Sequence, residues 1–463
     1  MDLDEFQHLH IAWNIFSGKI LYKDFFEHHG PIYSLLNGEL FKIFNLSPTF
    51  DTIFFIRWIS FFYMFILLFI TFFIGKEILQ SVIGGILSTA ILSNLLFFQD
   101  SATEIRPDVL QNIFWLLGFL ILLKNFSNAS KFKTYFSGLF FCFAVLTNSK
   151  AAIGVFAVLV FYIFIFFQKK IDLKILYADL LLIFLGSLTS FIIISIYFIS
   201  IGAFQQFWFY NFEFNLIAIL KYHTSHSGYY LKYLLKHQIG FIIFTLFGFV
   251  LILKKFISEK ENHDKKMLFL FIVSVITSAS SLLGMYQQHY LQFLPLLSVI
   301  CAFTINKSAE LFFTNQTLIK KIVSFVAIIF LIVNLVQDEI WQTPWHESAK
   351  LKSQRSLTNF ILKNTKRSEP IFFIWNNCGG YIFNEDVQYY WTENENLGKY
   401  FNRIKGYDVF GDALIKNMKT KNVRFIVAEE QELKNVLSPK AFNFIKNNYI
   451  SNFNGYKCLW KRN

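Results

Sequence analysis

Long apolar stretches recur along most of this chain, and they restrict it to a fold whose solvent is partly lipid. Of the 463 residues, 54% are hydrophobic and 61 are Phe. A soluble domain of this length could not cover so much apolar surface. Ten stretches have spanning or near-spanning length, at 52–74, 81–98, 109–124, 134–149, 151–168, 176–200, 239–255, 267–284, 290–305 and 322–337. We therefore predict a transmembrane bundle of about ten helices over 52–337, in which two neighbouring runs could form one broken helix.

The lysines of the short loops predict the orientation of this bundle, because cytoplasmic loops are enriched in Lys and Arg. Lys76, Lys131, Lys169, Lys265 and Lys307 lie in alternate loops, which we assign to the cytoplasm. The other set is predicted to face outward and comprises 1–51, 99–108, 201–238, 286–289 and the chain after 338. We expect a multi-pass protein of a bacterial inner membrane. Because Met1 would then start outside, we also expect a further helix upstream in the complete protein.

The segment 1–51 is predicted to form two helices at the membrane interface. Apolar residues recur at helical spacing from Leu3 to Phe16 and again from Ile32 to Phe44. Their polar faces would carry four side chains into water: Asp4, Glu5, His8 and Glu39. The segment holds seven carboxylates against three lysines, so it is acidic.

After the last span the pattern changes to that of a small α/β domain, which we place at 338–463 on the extracytoplasmic side. Strands are expected at 371–375, 423–427 and 456–460, and helices near 350–364, 411–420 and 438–448. From Lys350 onward there are 19 Lys and Arg against 10 Asp and Glu. Such a domain is expected over anionic headgroups or an anionic glycan, and nucleic acid is not an expected partner. Cys378 and Cys458 could pair there.

Four groups of residues resemble the GT-C glycosyltransferases, specifically the protein O-mannosyltransferase and lipid A aminoarabinose transferase group. In the first outward segment they are Asp4, Glu5, Ala12, Trp13, Gly18, Tyr22, Asp24, Phe25, Phe26, His29 and Pro31. The others are Glu104 to Asp108, Leu146 to Lys150, and Tyr290 to Pro295. Here Asn148 and Ser149 separate the Thr and Lys that the family often has adjacent. In place of a family Arg, the chain has Gln287, Gln288 and His289.

The resemblance implies transfer of a sugar from a polyprenyl-phosphate donor to a hydroxyl of a protein, lipid or glycan, with inversion at the anomeric carbon. The residues support this chemistry, which needs a carboxylate to accept the acceptor proton and cations to stabilise the departing phosphate. Asp4 and Glu5 are the candidates for catalysis. The candidates for binding the donor phosphate are Lys150, Arg106, His289 and Tyr290, and those for binding substrate are Asp24, His28, His29 and Glu104.

Other readings of the same residues stay open. Asp4 could only cap a helix, Glu104 and Arg106 could form a surface ion pair, and Lys150 could extend to the interface. No metal is expected, since His8 and His10 on one helix point about 200° apart, and the polyprenyl-phosphate sugar is a co-substrate rather than a cofactor. The alternative function is a transporter or flippase for a lipid-linked or glycan substrate.

Overall fold

In a computed structural model the chain is predominantly helical. The structure describes residues 3–25, 27–46, 50–126, 130–216, 227–258, 265–280, 287–313, 349–366, 369–373 and 411–463. Its membrane part contains α1 Leu3–Phe16, α2 Pro31–Ile43, α3 Phe50–Leu79, α4 Val82–Ser93, α5 Leu96–Ala102, α6 Pro107–Asn125, α7 Lys131–Thr147, α8 Ala152–Phe167, α9 Leu173–Ser200, α10 Phe204–Trp208, α11 Ser227–His237, α12 Ile239–Ser258, α13 Lys265–Ala279 and α14 Leu294–Phe313. The remainder contains α15 Ala349–Asn364, β1 Ile371–Phe373, α16 Asp412–Thr420, β2 Phe425–Val427, α17 Glu430–Val436, α18 Pro439–Asn448, β3 Tyr449–Ile450 and β4 Leu459–Arg462.

Helices occupy nine of the ten predicted spans, and the tenth, 322–337, lies outside the described residues. Within the described ranges, five helices are long and apolar enough to cross a membrane: α3, α6, α8 with the turn before it, α9 and α12. The pair α4 and α5 passes the same test together, with a 74° bend between them. The predicted fold class, a polytopic helical membrane protein, is confirmed. The runs around Asn148 form two helices, because the chain leaves α7 at Thr147 and turns through Ser149–Ala151 before α8.

Small residues allow the long helices α7 and α9 to pack closely. A methyl group added at Gly138 would lie 2.1 Å from the Ile183 carbonyl oxygen, and one added at Gly186 would lie 2.0 Å from that of Tyr135. Ser187 Oγ donates to the Gly138 carbonyl at 3.0 Å across the same interface. Close backbone contact of this kind is a common way to join helices where lipid removes the hydrophobic driving force.

The two helices expected in the first segment are present as α1 and α2, but the exposure predicted for α1 is wrong. Glu5 and His8 are buried, with 0% and 2% of their surface exposed, whereas Glu39 on α2 is exposed. Leu9 and Trp13 of α1 are also fully buried. The helix is therefore covered by protein on both its apolar and its polar side, so its charged groups need partners within the fold.

The C-terminal part contains a four-stranded sheet in the order β1-β2-β4-β3, in which β1 and β2 are parallel and the other neighbours antiparallel. The predicted α/β domain is present, with one helix, α17, and one short strand, β3, that the periodicity does not predict. One face of the sheet and α15 share a hydrophobic core with α1 and α3, which includes Ile361, Phe425 and Phe6. The expected pairing of Cys378 with Cys458 involves Cys378, which lies outside the described residues.

Candidate active site

A buried polar cluster forms at the end of the bundle where α6 and α8 begin and α7 ends. Five segments contribute to it: α1, the loop between α1 and α2, the turn before α6, the first turn of α6, and the turn 148–151. Their side chains are His8, Glu27, His28, His29, Arg106, Asp108, Asn148 and Lys150. Six of these side chains are buried: His8, Glu27, His28, Arg106, Asp108 and Asn148. Charged groups in such surroundings are stable only when they pair with each other or with a ligand.

Glu27 organises the loop that precedes α2. Its Oε1 accepts hydrogen bonds from the backbone N–H groups of His28 and His29, at 2.8 and 2.7 Å, and from His29 Nδ1 at 2.7 Å. Burial, with a contribution from the nearby cation Lys150, lowers the pKa of His29 to about 3. The ring is therefore neutral near pH 7. Because Nδ1 donates its proton to the carboxylate, Nε2 carries the free lone pair.

Two backbone features hold this loop against the bundle. Tyr22 is buried at a φ of +69°, and its hydroxyl donates to the His29 carbonyl at 2.7 Å. A methyl group added at Gly30 would lie 1.9 Å from the Leu146 carbonyl oxygen, so the loop contacts the end of α7 through bare backbone. This contact brings His29 toward Lys150, which follows α7 by only three residues.

Asp108 holds two cations at the start of α6. Lys150 Nζ lies 3.5 Å from one carboxylate oxygen and Arg106 Nε lies 3.6 Å from the other. Asn148 Nδ2 donates to Asp108 Oδ1 at 3.4 Å, and the Asn148 side chain also accepts from the Lys150 backbone N–H at 3.3 Å. Asp108 is thus shared between two cations, and Arg106 also has Glu104 nearby. The Lys150 side chain is 29% exposed, which allows it to reach a ligand.

Glu5 joins α1 to two other segments. Its two oxygens accept hydrogen bonds from Arg57 Nε at 2.8 Å and Arg57 Nη2 at 2.5 Å. Its Oε1 also accepts from the backbone N–H of Ile105 at 3.2 Å. The carboxylate is thus fully buried and its hydrogen-bonding capacity is largely used within the protein.

The remaining candidates from the sequence lie at varying distances from this cluster. The Asp4 side chain is outside the described residues, although its backbone lies in the first turn of α1 directly before Glu5. Asp24 is exposed and accepts from the Ile20 N–H within its own turn. Glu104 Oε2 lies 3.8 Å from Arg106. His289 interacts electrostatically with Asp108, and Tyr290 packs its ring edge against Phe97 with centroids 5.0 Å apart.

Five residues of the cluster and its support were not among the candidates for catalysis or binding: His8, Glu27, Asp108, Asn148 and Arg57. Asp108 ends the motif Glu104 to Asp108, and Glu27 lies beside the motif of the first segment. Both residues could therefore have been chosen from the sequence. Arg57 could have been found from a simpler signal, since it is a lone charge near the start of an apolar span. The pairing of His8 with Glu27 had no such signal, because 18 residues and a loop of unpredictable path separate them.

Among the described residues, His8, Glu27 and His29 form a group that could hold a metal ion, with one ligand atom from each lying within 4.8 Å of the others. The donor set of two imidazoles and a carboxylate is one that Zn²⁺ uses. Glu27 Oε2 and His8 Nδ1 are buried and have no hydrogen-bond partner among the described residues. The angle between His8 and His10 does not bear on this group, because its members come from α1 and from the loop after it.

Comparisons with known proteins bear on the fold of this chain. Residues 28–203 match the family described as dolichyl-phosphate-mannose-protein mannosyltransferase. No curated protein matches the chain. Among solved structures, the archaeal oligosaccharyltransferase AglB from Archaeoglobus fulgidus, in complex with an inhibitory peptide and a dolichol-phosphate, has a TM-score of 0.61 at 9% identity. That match covers 99% of this chain and 70% of the AglB chain.

ArnT from Cupriavidus metallidurans is similar over more of its own length. The form bound to undecaprenyl phosphate has a TM-score of 0.61 at 10% identity, covering 99% of this chain and 93% of ArnT. The apo form gives 0.56 at 11% identity, with 96% and 89% covered. The protein therefore has the fold of the GT-C membrane glycosyltransferases, which confirms the resemblance inferred from its motifs. The segment that matches the family model runs from the loop before α2 to just past the end of α9.

Proposed function

We propose that this protein transfers a sugar from a polyprenyl-phosphate donor to a hydroxyl of a protein, lipid or glycan acceptor at the extracytoplasmic surface of the membrane. One observation carries the proposal: Asp108 holds Lys150 and Arg106 together at the end of the bundle where the neutral histidines lie. A phosphate gains negative charge as its sugar leaves. In a water-poor site that charge is very costly unless fixed cations lie beside it.

Asp4 is assigned as the base that accepts the proton of the acceptor hydroxyl. Glu5 was the other candidate, but both its oxygens accept hydrogen bonds from Arg57, which leaves little capacity for a substrate hydroxyl. Asp4 precedes Glu5 and lies in the first turn of α1, the helix that contributes His8 to the cluster. Attack by the acceptor oxygen in a single displacement forms the new glycosidic bond and breaks the bond to the phosphate. The anomeric configuration is inverted and no covalent sugar–enzyme intermediate is needed.

His29 and His28 are proposed to contact the substrate as neutral groups. Burial lowers the pKa of His28 well below its usual value, as it does for His29. Neutral imidazoles suit sugar hydroxyls better than they suit a phosphate, which is left to the two cations.

With those cations supplying the positive charge, transfer is proposed to need no metal cofactor. Dialysis against EDTA should then leave the rate unchanged within about twofold, and a loss restored by Zn²⁺ would assign a role to His8, Glu27 and His29.

The test uses purified protein in lipid nanodiscs, with lipid-linked sugars extracted from cells that lack the protein as donors. Asp4→Asn should reduce turnover by roughly 10²-fold, the scale for losing a general base, with binding of undecaprenyl phosphate retained. Glu39→Gln is the control, because Glu39 is an exposed carboxylate of α2 paired only with Lys42 in the described structure. Transport of the lipid-linked sugar without transfer would instead support a flippase. The anomeric configuration of the product, read by NMR, tests inversion.

A further inference from the structure

Arg57 is a charged side chain near the start of α3, the most N-terminal of the helices that are apolar enough to cross a membrane. A guanidinium in such a helix is costly unless it has a partner, and it usually serves a function. Arg57 makes a two-pronged contact with Glu5, through Nε at 2.8 Å and Nη2 at 2.5 Å. This is the geometry in which arginine binds a carboxylate most specifically.

The same carboxylate reaches a third segment. Glu5 is fully buried, and its Oε1 also accepts the Ile105 N–H at 3.2 Å. Ile105 is itself fully buried in the core that contains Phe6 and Ile56. The Arg57–Glu5 pair therefore ties α1, α3 and the turn before α6 at a single point. We call this arrangement the Arg57–Glu5 tie.

Both neighbours of the tie belong to the proposed machinery. Asp4 directly precedes Glu5, and Arg106 directly follows Ile105. Arg106 Nε lies 3.6 Å from Asp108, so the direction of its side chain depends on the path of the turn that the tie holds. Without Arg57, Glu5 would remain as a buried carboxylate without its cation, and it would be expected to move toward water. The turn and α1 would then lose their common anchor.

We propose that Arg57 is a positioning residue for sugar transfer, acting through Glu5 to hold Asp4 and Arg106 in one fixed relation. The role rests on the proposed function, because Asp4 and Arg106 belong to its proposed machinery. It assigns no contact between Arg57 and substrate. It also assigns Glu5 to support rather than to proton transfer. A merely stabilising ion pair would lower the melting temperature when broken and leave ligand affinity in the folded protein unchanged.

The experiment compares Arg57→Gln, Glu5→Gln and the double variant Glu5→Gln/Arg57→Gln with the wild type, as full-length protein in nanodiscs. Two quantities are measured below the melting temperature: hydrogen exchange of the peptide containing Ile105, and the affinity for undecaprenyl phosphate. The matched control is the pair Glu39→Gln and Lys42→Gln, which removes an ion pair of 2.6 Å that is exposed on α2. Neither quantity should change in the control.

Arg57→Gln should raise exchange at Ile105 and weaken undecaprenyl phosphate binding roughly tenfold. The double variant should recover much of the exchange protection and of the lipid affinity, because two glutamines can hydrogen-bond without leaving a buried charge. It also keeps the test valid if a single variant fails to fold. Unchanged exchange in a folded Arg57→Gln protein would overturn the tie. Raised exchange with unchanged lipid affinity would overturn the positioning role. If the wild type does not bind undecaprenyl phosphate while exchange rises as expected, the proposed donor class fails although the tie stands.

Discussion

At the scale of single residues, Gly30 shows how one missing side chain can position a site. Its φ of −61° and ψ of 152° are open to any residue, so the backbone does not require glycine. The requirement is steric, because an added methyl group would lie 1.9 Å from the Leu146 carbonyl oxygen. The glycine thus allows the loop with Glu27 and His29 to lie directly against the end of α7.

Gly30→Ala should therefore destabilise the protein by about 1–3 kcal/mol, the range for overpacking, and should also weaken undecaprenyl phosphate binding. Gly455→Ala is the control, since Gly455 lies in the C-terminal part at a φ of +79° with open space around it. Its substitution should cost about 1 kcal/mol from backbone strain alone and leave lipid binding unchanged. Thermal melting and lipid binding measured on both variants test this. Normal binding by folded Gly30→Ala would contradict the steric account.

The buried histidines predict how stability depends on pH. Burial lowers the pKa of His29 to about 3, and it lowers the pKa of His8 and His28 as well. In the unfolded chain a histidine titrates near 6.5, so between pH 6.5 and 3 the unfolded state binds more protons than the folded state. The stabilising effect is complete above pH 6.5 and is lost as the pH falls toward 3.

Melting temperatures measured from pH 4 to 8 should accordingly decline below pH 6.5. The decline should be shallower in His29→Gln, which removes one of the three titrating groups but keeps a hydrogen-bond donor for Glu27. The same slope in both proteins would show that His29 is not buried in its neutral form.

At the scale of elements, the break between α7 and α8 places a cation at the end of the bundle. Asn148 caps the short turn that follows α7, and Lys150 extends from this turn to Asp108. The two residues that separate Thr147 from Lys150 are thus accommodated as a turn and do not move the lysine out of the cluster. A partly exposed cation in this position suits the phosphate contact proposed above.

Lys150→Ala should weaken undecaprenyl phosphate binding and turnover together by roughly tenfold or more, the scale of losing one charge-assisted hydrogen bond. Lys150→Arg should restore part of both, because the charge returns without the compact ammonium. Lys131→Ala is the control, as Lys131 is an exposed lysine at the opposite end of α7. If Lys150→Ala binds the lipid normally, the phosphate contact would have to come from Arg106 and His289.

At the scale of the whole molecule, the C-terminal part divides its apolar residues between two cores. Ile361 of α15 and Phe425 of β2 pack in the core shared with α1 and α3. Ile445 of α18 and Ile426 of β2 pack in a second core on the other face of the sheet. Arg355 also lies over the Phe54 ring of α3 at 5.4 Å. The sheet is therefore attached to α1, the helix that contains Asp4.

Two Ile→Ala substitutions, one in each core, distinguish the contributions of the two cores. Ile361→Ala and Ile445→Ala remove the same atoms from fully buried positions, and each should cost about 2–5 kcal/mol. Ile361→Ala should increase hydrogen exchange in α1 as well as in α15, whereas Ile445→Ala should affect only 411–463. Equal exchange in α1 for the two variants would contradict the shared core.

The amino-acid sequence by itself determined the elements of this protein, because apolar runs of spanning length, helical periodicity and turn residues act over short distances. Helices occupy nine of the predicted apolar runs, and the C-terminal strands follow their β-rich segments. The order of the short motifs was also sufficient to indicate the GT-C class. Lys150 and Arg106 were chosen as candidates in this way, and the structure places both beside Asp108.

Only the tertiary structure decided which charges meet. Helical periodicity places Glu5 and His8 on the polar face of α1, but it cannot show that Arg57, Ile105 and Glu27 cover that face. Asp108 is also far in sequence from Lys150, the lysine that it holds. Such pairs form because a buried charge is costly without a partner, and the partner is supplied by whichever segment the packing of the helices brings there.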